Sequence, residues 1–286
     1  QIYVRANAAF GATMRSVSNS AELAALLAST DLGPSDVVLL RSGTYGALDI
    51  AGDDAGAIFI GESDGSTVFS GPVTIAASSV TLQRMRFAAD VTVLANDASI
   101  VDNQFTTGRL VLAAAGGVQV THNTFASGLR ITGVSNGDIG FNDIAGGLVI
   151  DAAFGGLIHD NDIRGAGTGV NYNAAAALHG NRIFGNSVGV NATVGGTVNA
   201  FGFVAGSGVN EIYGNTTGVV LANARVQRQH VFDNGTGVIG GGVLGGDTLD
   251  TANLIETNGT GVANFNGTVQ FNRIARNGVG IAATAD

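Results

Sequence analysis

The chain of 286 residues has no cysteine, no tryptophan and only two prolines, and all 13 of its basic residues are arginine. The missing cysteine excludes disulfides, iron–sulfur clusters and thiolate metal sites. Basic residues are outnumbered by 22 acidic ones, giving a formal net charge of −9. That balance argues against nucleic acid, which is bound through dense Lys/Arg contacts to phosphate, and against an anionic membrane surface. No apolar run is long enough for a membrane-spanning helix. No signal peptide is visible, and the chain begins at Gln1 rather than Met, as a processed mature end or a piece of a longer chain would. Aromatic residues make up 6% and charged residues 12%, so sugar-stacking platforms and charge-dense surfaces are both scarce.

What is abundant is glycine, at 45 residues, within a chain that is 45% hydrophobic. The glycines recur in register with apolar residues, as turns between short strands do. The register is set by asparagine. Asn103-Gln104-Phe105, Asn123-Thr124-Phe125, Asn142-Asp143-Ile144, Asn161-Asp162-Ile163 and Asn181-Arg182-Ile183 follow at steps of 20, 19, 19 and 20. After interruptions, Asn210-Glu211-Ile212, Asn253-Leu254-Ile255 and Asn272-Arg273-Ile274 continue the series. A fixed period of this size is the signature of a solenoid, in which each coil packs only on its neighbours.

Aligned coils show which side chains face inward. Leu110, Leu129 and Leu148 form one column, Leu112, Ile131 and Ile150 a second, and Phe87, Phe105 and Phe125 a third, because alternate residues of a strand share a face. The repeated Asn is expected in a tight turn, where this residue tolerates the left-handed backbone, with its amide bonded to the Asn of adjacent coils. A later Gly-rich turn recurs as Gly185-Asn186, Gly214-Asn215, Asn234-Gly235, Asn258-Gly259 and Asn277-Gly278. Uneven steps there place insertions roughly within residues 193–209 and 240–252, and inserted loops of solenoids often carry function.

The N-terminal segment reads differently. Ile2-Tyr3-Val4 alternates as a short strand, and residues 19–32 form a helix. Asn19 is its N-cap, Glu22 stands at capping-box spacing, and Leu23, Leu26 and Leu27 make one apolar face. This helix is expected to cover the open end of the core. The whole chain, 1–286, is therefore read as one all-β domain: strand and cap helix over 1–35, coils over 36–286. At this period it has about 12 coils and a length on the order of 55–60 Å. No C-terminal cap is visible before Asp286.

These repeats resemble the right-handed parallel β-helix proteins of the pectate-lyase-like superfamily. The segment from Ser18 to Tyr45, with its cap helix, Asp36-Val37-Val38-Leu39-Leu40 and Gly43-Thr44-Tyr45, is similar to the start of polysaccharide lyases related to chondroitinase B and alginate lyases. The resemblance implies a secreted or cell-surface protein and β-elimination on uronate-containing glycans. It also implies a Lys/Arg pair, often with Ca²⁺ held by acidic and amide side chains. The missing lysine breaks that pair, no acidic cluster matches the calcium ligands, and Ca²⁺ is left open as a cofactor.

Elimination needs a group that neutralises the substrate carboxylate and a base that removes the neighbouring proton. The candidates are His159, His179, Arg164 and Arg182, with Asp143, Asp160 and Asp162 as substrate-binding partners. His159 and His179 each stand two residues before the repeated Asn and should stack at one strand spacing. Asp143, Asp162 and Arg182 follow that Asn on successive coils. The competing expectation for the same residues is a solvated ladder in which opposite charges pair across strands. Gly245-Gly246-Asp247-Thr248-Leu249-Asp250 faintly resembles a calcium nonapeptide and reads better as a turn. Asp53-Asp54 and Glu62-Asp64 read as solvated turn residues.

A non-catalytic role is the leading expectation: a structural or adhesive protein that binds polysaccharide along one face or associates with copies of itself, end to end or laterally. Val111, Val149, Val220 and Ile239 are expected to face outward as an apolar stripe that could pack against another chain.

Overall fold

The structure is a computed structural model that describes residues 13–193 and 208–283. The expected strand at Ile2–Val4 and nearly all of the 193–209 insertion lie outside the described residues. The rest is a parallel β-solenoid of about 13 turns, with three sheets of 9, 12 and 12 strands. Up to Ala176–His179 each coil contributes one strand to sheet I, turns a corner, marked by the repeated Asn from Asn103 on, into sheet II, and then enters sheet III. The coil around the histidines does so with Phe154–His159, Asp162–Arg164 and Thr168–Tyr172. Among the described residues sheet I ends at Ala176–His179. From residue 217 the sheet III strand lengthens and runs on to the corner, as Thr217–Val226, Thr236–Leu244 and Thr260–Val269.

The helix α1 spans Ser20–Ser29, three residues shorter at its C-terminus than expected. Its N-terminus is capped from both sides, with Glu22 reaching back one residue beyond the N-cap. Asn19 Oδ1 accepts from the Glu22 amide at 2.9 Å, and Glu22 Oε2 accepts from the Ser18 amide at 2.7 Å. Leu23 is buried, and Leu26 and Leu27 pack on the core. Strand Thr13–Val17, which the alternation did not reveal, precedes the helix and pairs in parallel with Asp36–Leu40. The Tyr45 hydroxyl ties this start together by donating to the carbonyls of Val17 and Arg41.

The inward columns lie as the alignment predicts: Leu110, Leu129 and Leu148 are 0–1% exposed, and Leu112, Ile131 and Ile150 are fully buried. On the inner side of sheet II a ring stack runs Tyr45, Phe69, Phe87, Phe105, Phe125, with centroids 4.5–5.7 Å apart. Ile144, Ile163, Ile183 and Ile212 continue the same column.

The Asn ladder is real, but its backbone assignment needs correction. The left-handed residue is the one before the Asn: Asp102, His122, Phe141 and Asp160 have φ between 50° and 59°. That kink turns the Asn itself inward, where it is buried. Each Oδ1 accepts from the backbone amide of the preceding coil's Asn, as in Asn142→Asn161 at 3.0 Å and Asn161→Asn181 at 3.0 Å. Each Nδ2 donates onward to the next Asn and to a sheet I carbonyl. The side chain thus satisfies corner groups that no strand can reach, as buried backbone requires.

A second ladder, Asn186, Asn215, Asn234, Asn258 and Asn277, marks the corner between sheets II and III. It explains the Gly of each Asn-x-x-Gly turn. A Cβ at Gly189, Gly218 or Gly237 would come within 2.9–3.1 Å of the next coil's Asn amide and still closer to a backbone carbonyl. The second insertion folds as Gly245–Ala252 around a short 3-10 turn, Leu249–Thr251. Asp247, from the nonapeptide-like run, is held by Arg225 at 2.8 and 3.2 Å.

The proposed apolar stripe lies in one outward column of sheet III but is not continuous. The register runs Val111, Arg130, Val149, Asn171, Asn191, Val220, Ile239. Arg130 and two asparagines divide it, and Arg130 is itself bonded to Asp151.

Candidate functional site

The candidate residues sit on both sides of the first Asn corner. On the outer face of sheet I, Thr121, Gly140, His159 and His179 share one column. Gly140 makes this arrangement possible, since a Cβ there would fall 2.8 Å from two atoms of the His159 ring. The ring therefore lies flat across the neighbouring strand. Its Nε2 meets Asp138 at 2.7 Å and its Nδ1 meets Asp160 at 2.8 Å. With a carboxylate at each nitrogen, only the doubly protonated ring can donate to both.

His179 stacks on His159 with centroids 5.3 Å apart and planes 8° from parallel. The two rings are driven in opposite directions. For His159, burial disfavours the charge, but the bonds and charges of Asp160 and Asp138 outweigh it and raise the pKa. For His179, burial and the neighbouring His159 lower it, against a weaker pull from Asp160 and Asp138. His159 thus holds its proton more readily than an ordinary histidine, and His179 less readily.

Sequence reasoning missed three members of this group. Phe141 meets His159 edge-on at 5.2 Å, and His122 stacks on Phe141 at 5.5 Å. His122 and Phe141 occupy the corner position just before successive ladder asparagines, so the repeat spacing carried the signal. Asp138 is in register with Gln119 and Leu157, and nothing in its local sequence marks it.

Around the corner, the outer face of sheet II carries a row with one side chain per coil: Arg86, Gln104, Thr124, Asp143, Asp162, Arg182, Glu211, His230. Asp143, Asp162 and Arg182 form the expected column. Arg164 is bonded to Asp143 at 2.5 Å. Arg182 grips Asp162 with both Nε and Nη2, and that bond and charge raise its pKa. Further along, Glu256 accepts from Arg276 and meets His230 at 3.2 Å.

Two residues on in each strand is a second outward column, Phe184, Tyr213 and Phe232. Their rings stack at 5.2 and 4.9 Å, and His230 lies 4.2 Å from Phe232. This ladder was also missed. Each ring stands two residues before an Asn of the second ladder, which is where it could have been found.

The structure thus separates the candidates into two groups. His159, His179, Asp160 and the newly found Asp138 interact on sheet I. Arg164 with Asp143, and Arg182 with Asp162, pair on sheet II. Among the described residues no three His, Asp or Glu side chains converge as metal ligands.

No protein-family model and no curated protein matches the chain. Solved structures with similar winding include two from Azotobacter vinelandii. The mannuronan C-5 epimerase AlgE4 A-module is 14% identical, with a TM-score of 0.45, 97% of this chain covered and 98% of that one. The AlgE6 A-module is 16% identical, with a TM-score of 0.35 and coverage of 97% and 94%. A mannuronic acid specific polysaccharide family 6 lyase from human gut microbiota is 11% identical, with a TM-score of 0.29 and coverage of 90% and 83%. At these values no residue role passes from those proteins to this one.

Proposed function

We propose that the protein is a non-catalytic, secreted or cell-surface β-helix that binds a polysaccharide along the outer face of sheet II. The supporting observation is the row from Arg86 to His230, with one polar side chain per coil along a straight axis. A site with such one-dimensional periodicity suits an extended polymer with regularly repeated hydroxyl groups. Gln104, Thr124 and Glu211 offer donors and acceptors in sequence along it.

The pairing of the charged candidates supports a non-catalytic reading. Each arginine that would neutralise a substrate carboxylate already holds an aspartate. His159 is occupied at both nitrogens. The arrangement stabilises contacts between coils more directly than it serves turnover.

Retention on insoluble polysaccharides tests the binding. Gln104→Ala combined with Thr124→Ala on sheet II should reduce it several-fold, and Asn171→Ala with Asn191→Ala on sheet III should leave it unchanged. Equal effects from the two faces would refute the assignment.

One observation favours a second reading, a polysaccharide lyase. The pKa of His179 is lowered beside a histidine whose pKa is raised, and pairs with opposed shifts are a mark of acid–base sites. In that reading His179 removes the proton, and unsaturated product from a uronate polymer should form in the wild type and disappear in His179→Ala.

A further inference from the structure

Near the start of sheet II the outer row opens into a cavity of about 270 Å³ between the turn at Glu62–Gly65 and the corner at Arg84–Arg86. Arg84, Arg86, Glu62, Asp64, Asp102 and Gln104 line it. The carboxylates there are already engaged. Glu62 meets Arg41 at 3.4 Å, Asp64 accepts from the Ser66 amide at 2.9 Å, and Asp102 accepts from Gln83 at 3.1 Å. The Ser66 bonds hold Asp64 below the usual carboxylate range. The two guanidiniums are different. Neither takes part in an ion pair among the described residues. Arg84 Nε is also shielded from solvent and has no hydrogen-bond partner.

Elsewhere along sheet II, Arg164 and Arg182 are neutralised by an aspartate of the preceding coil, Asp143 and Asp162. Here Val68 precedes Arg86 in the row and Gln104 follows it, so no carboxylate takes that place. The cavity therefore presents two forked donors beside acceptors suited to hydroxyl groups. Two oxygens of a carboxylate or a sulfate fit the fork, and the surrounding carboxylates and Gln104 can receive hydroxyl hydrogens.

We infer that the Arg84–Arg86 cavity is a subsite for one acidic sugar unit, with its carboxylate or sulfate group on the arginines and its hydroxyls on Glu62, Asp64, Asp102 or Gln104. This rests on the polysaccharide-binding reading and specifies that the polymer is acidic. The site lies at the N-terminal end of the row, five strands before Arg182, so a polymer on sheet II would be anchored there by charge.

The experiment is a calorimetric titration of the folded protein with oligogalacturonate, a sulfated galactan oligosaccharide, a neutral galactan oligosaccharide and inorganic sulfate. Acidic oligosaccharides should bind at least tenfold more tightly than the neutral one, and added salt should weaken them. Arg86→Gln should lose roughly tenfold for them and Arg84→Gln,Arg86→Gln roughly a hundredfold, a larger loss than the neutral oligosaccharide suffers. Arg86→Lys, which keeps the charge without the fork, should lie between. A tighter carboxylated or sulfated ligand would identify which oxyanion the site prefers and support the inference. Acidic binding unaffected by the double variant would overturn it while leaving polysaccharide binding intact. Inorganic sulfate binding as tightly as the oligosaccharides would overturn the sugar assignment. Absence of binding by every oligosaccharide would instead remove the reading on which the subsite rests.

Discussion

The two aromatic ladders of sheet II use the same spacing for opposite purposes. In the N-terminal coils Tyr45, Phe69, Phe87, Phe105 and Phe125 point inward and are 0–1% exposed. In the C-terminal coils Phe184, Tyr213 and Phe232 point outward and are only half-buried, while isoleucine and valine fill the inside. The stacking distances nearly coincide, so ring geometry does not distinguish them. Burial does. An inner ring removes its whole apolar surface from water, whereas an outer ring gains contact mainly with the rings above and below it. The inner ladder holds the coils together, and the outer one shapes a surface.

The largest expected effect follows from that difference. Phe87→Ala should cost about 4 kcal/mol of stability by cavity formation, and Tyr213→Ala about 1 kcal/mol by loss of ring pairing. Denaturant midpoints of the two variants measure both. Equal losses would break the distinction between ladders. Between these lies Asn161→Ala, which removes the acceptor for the Asn142 amide and three donated bonds. Unsatisfied buried groups of this kind should cost about 3 kcal/mol, and a variant as stable as the wild type would mean that the corners do not depend on the ladder. Arg182→Ala should lose less than about 1 kcal/mol, because its pair with Asp162 is exposed.

The smallest and most selective effect is on pH. His159 is shifted upward, so its contribution is complete below the unfolded value of about 6.5 and is lost as pH rises through the folded one. His179 is shifted downward, so stability falls as pH drops below that same unfolded value. Stability should therefore peak near the ordinary histidine pKa. His159→Gln should flatten the alkaline side and His179→Gln the acid side, as thermal melts across pH would show. Profiles unchanged by both substitutions would contradict the opposed shifts.

The winding was legible in the sequence because one side chain does one job at coil after coil: the ladder Asn returns at most corners from Asn103 on, with Gln229 standing in at one. The inner columns followed from strand alternation, and the cap helix from Asn19 and Glu22. The left-handed position was misassigned because Asn is the residue best known for that backbone, yet here a kink at Asp102, His122, Phe141 or Asp160 is what turns the Asn inward. The candidate charges were found, but their separation was not. Asp160 and Asp162 are neighbours in sequence and lie on opposite sides of a bend. The outer ring ladder was obscured by the insertion between Phe184 and Tyr213, which breaks the period. The apolar stripe failed for a simpler reason: choosing only the valines of a column hid Arg130, Asn171 and Asn191 between them.

The most direct test of a binding surface without turnover is to incubate the protein with alginate and pectate, recording retention on the polymer together with the ultraviolet absorbance of unsaturated uronate. The account predicts retention that depends on sheet II and no rise in absorbance. A rise that is lost in His179→Ala would contradict it and make the imidazole pair a catalytic site.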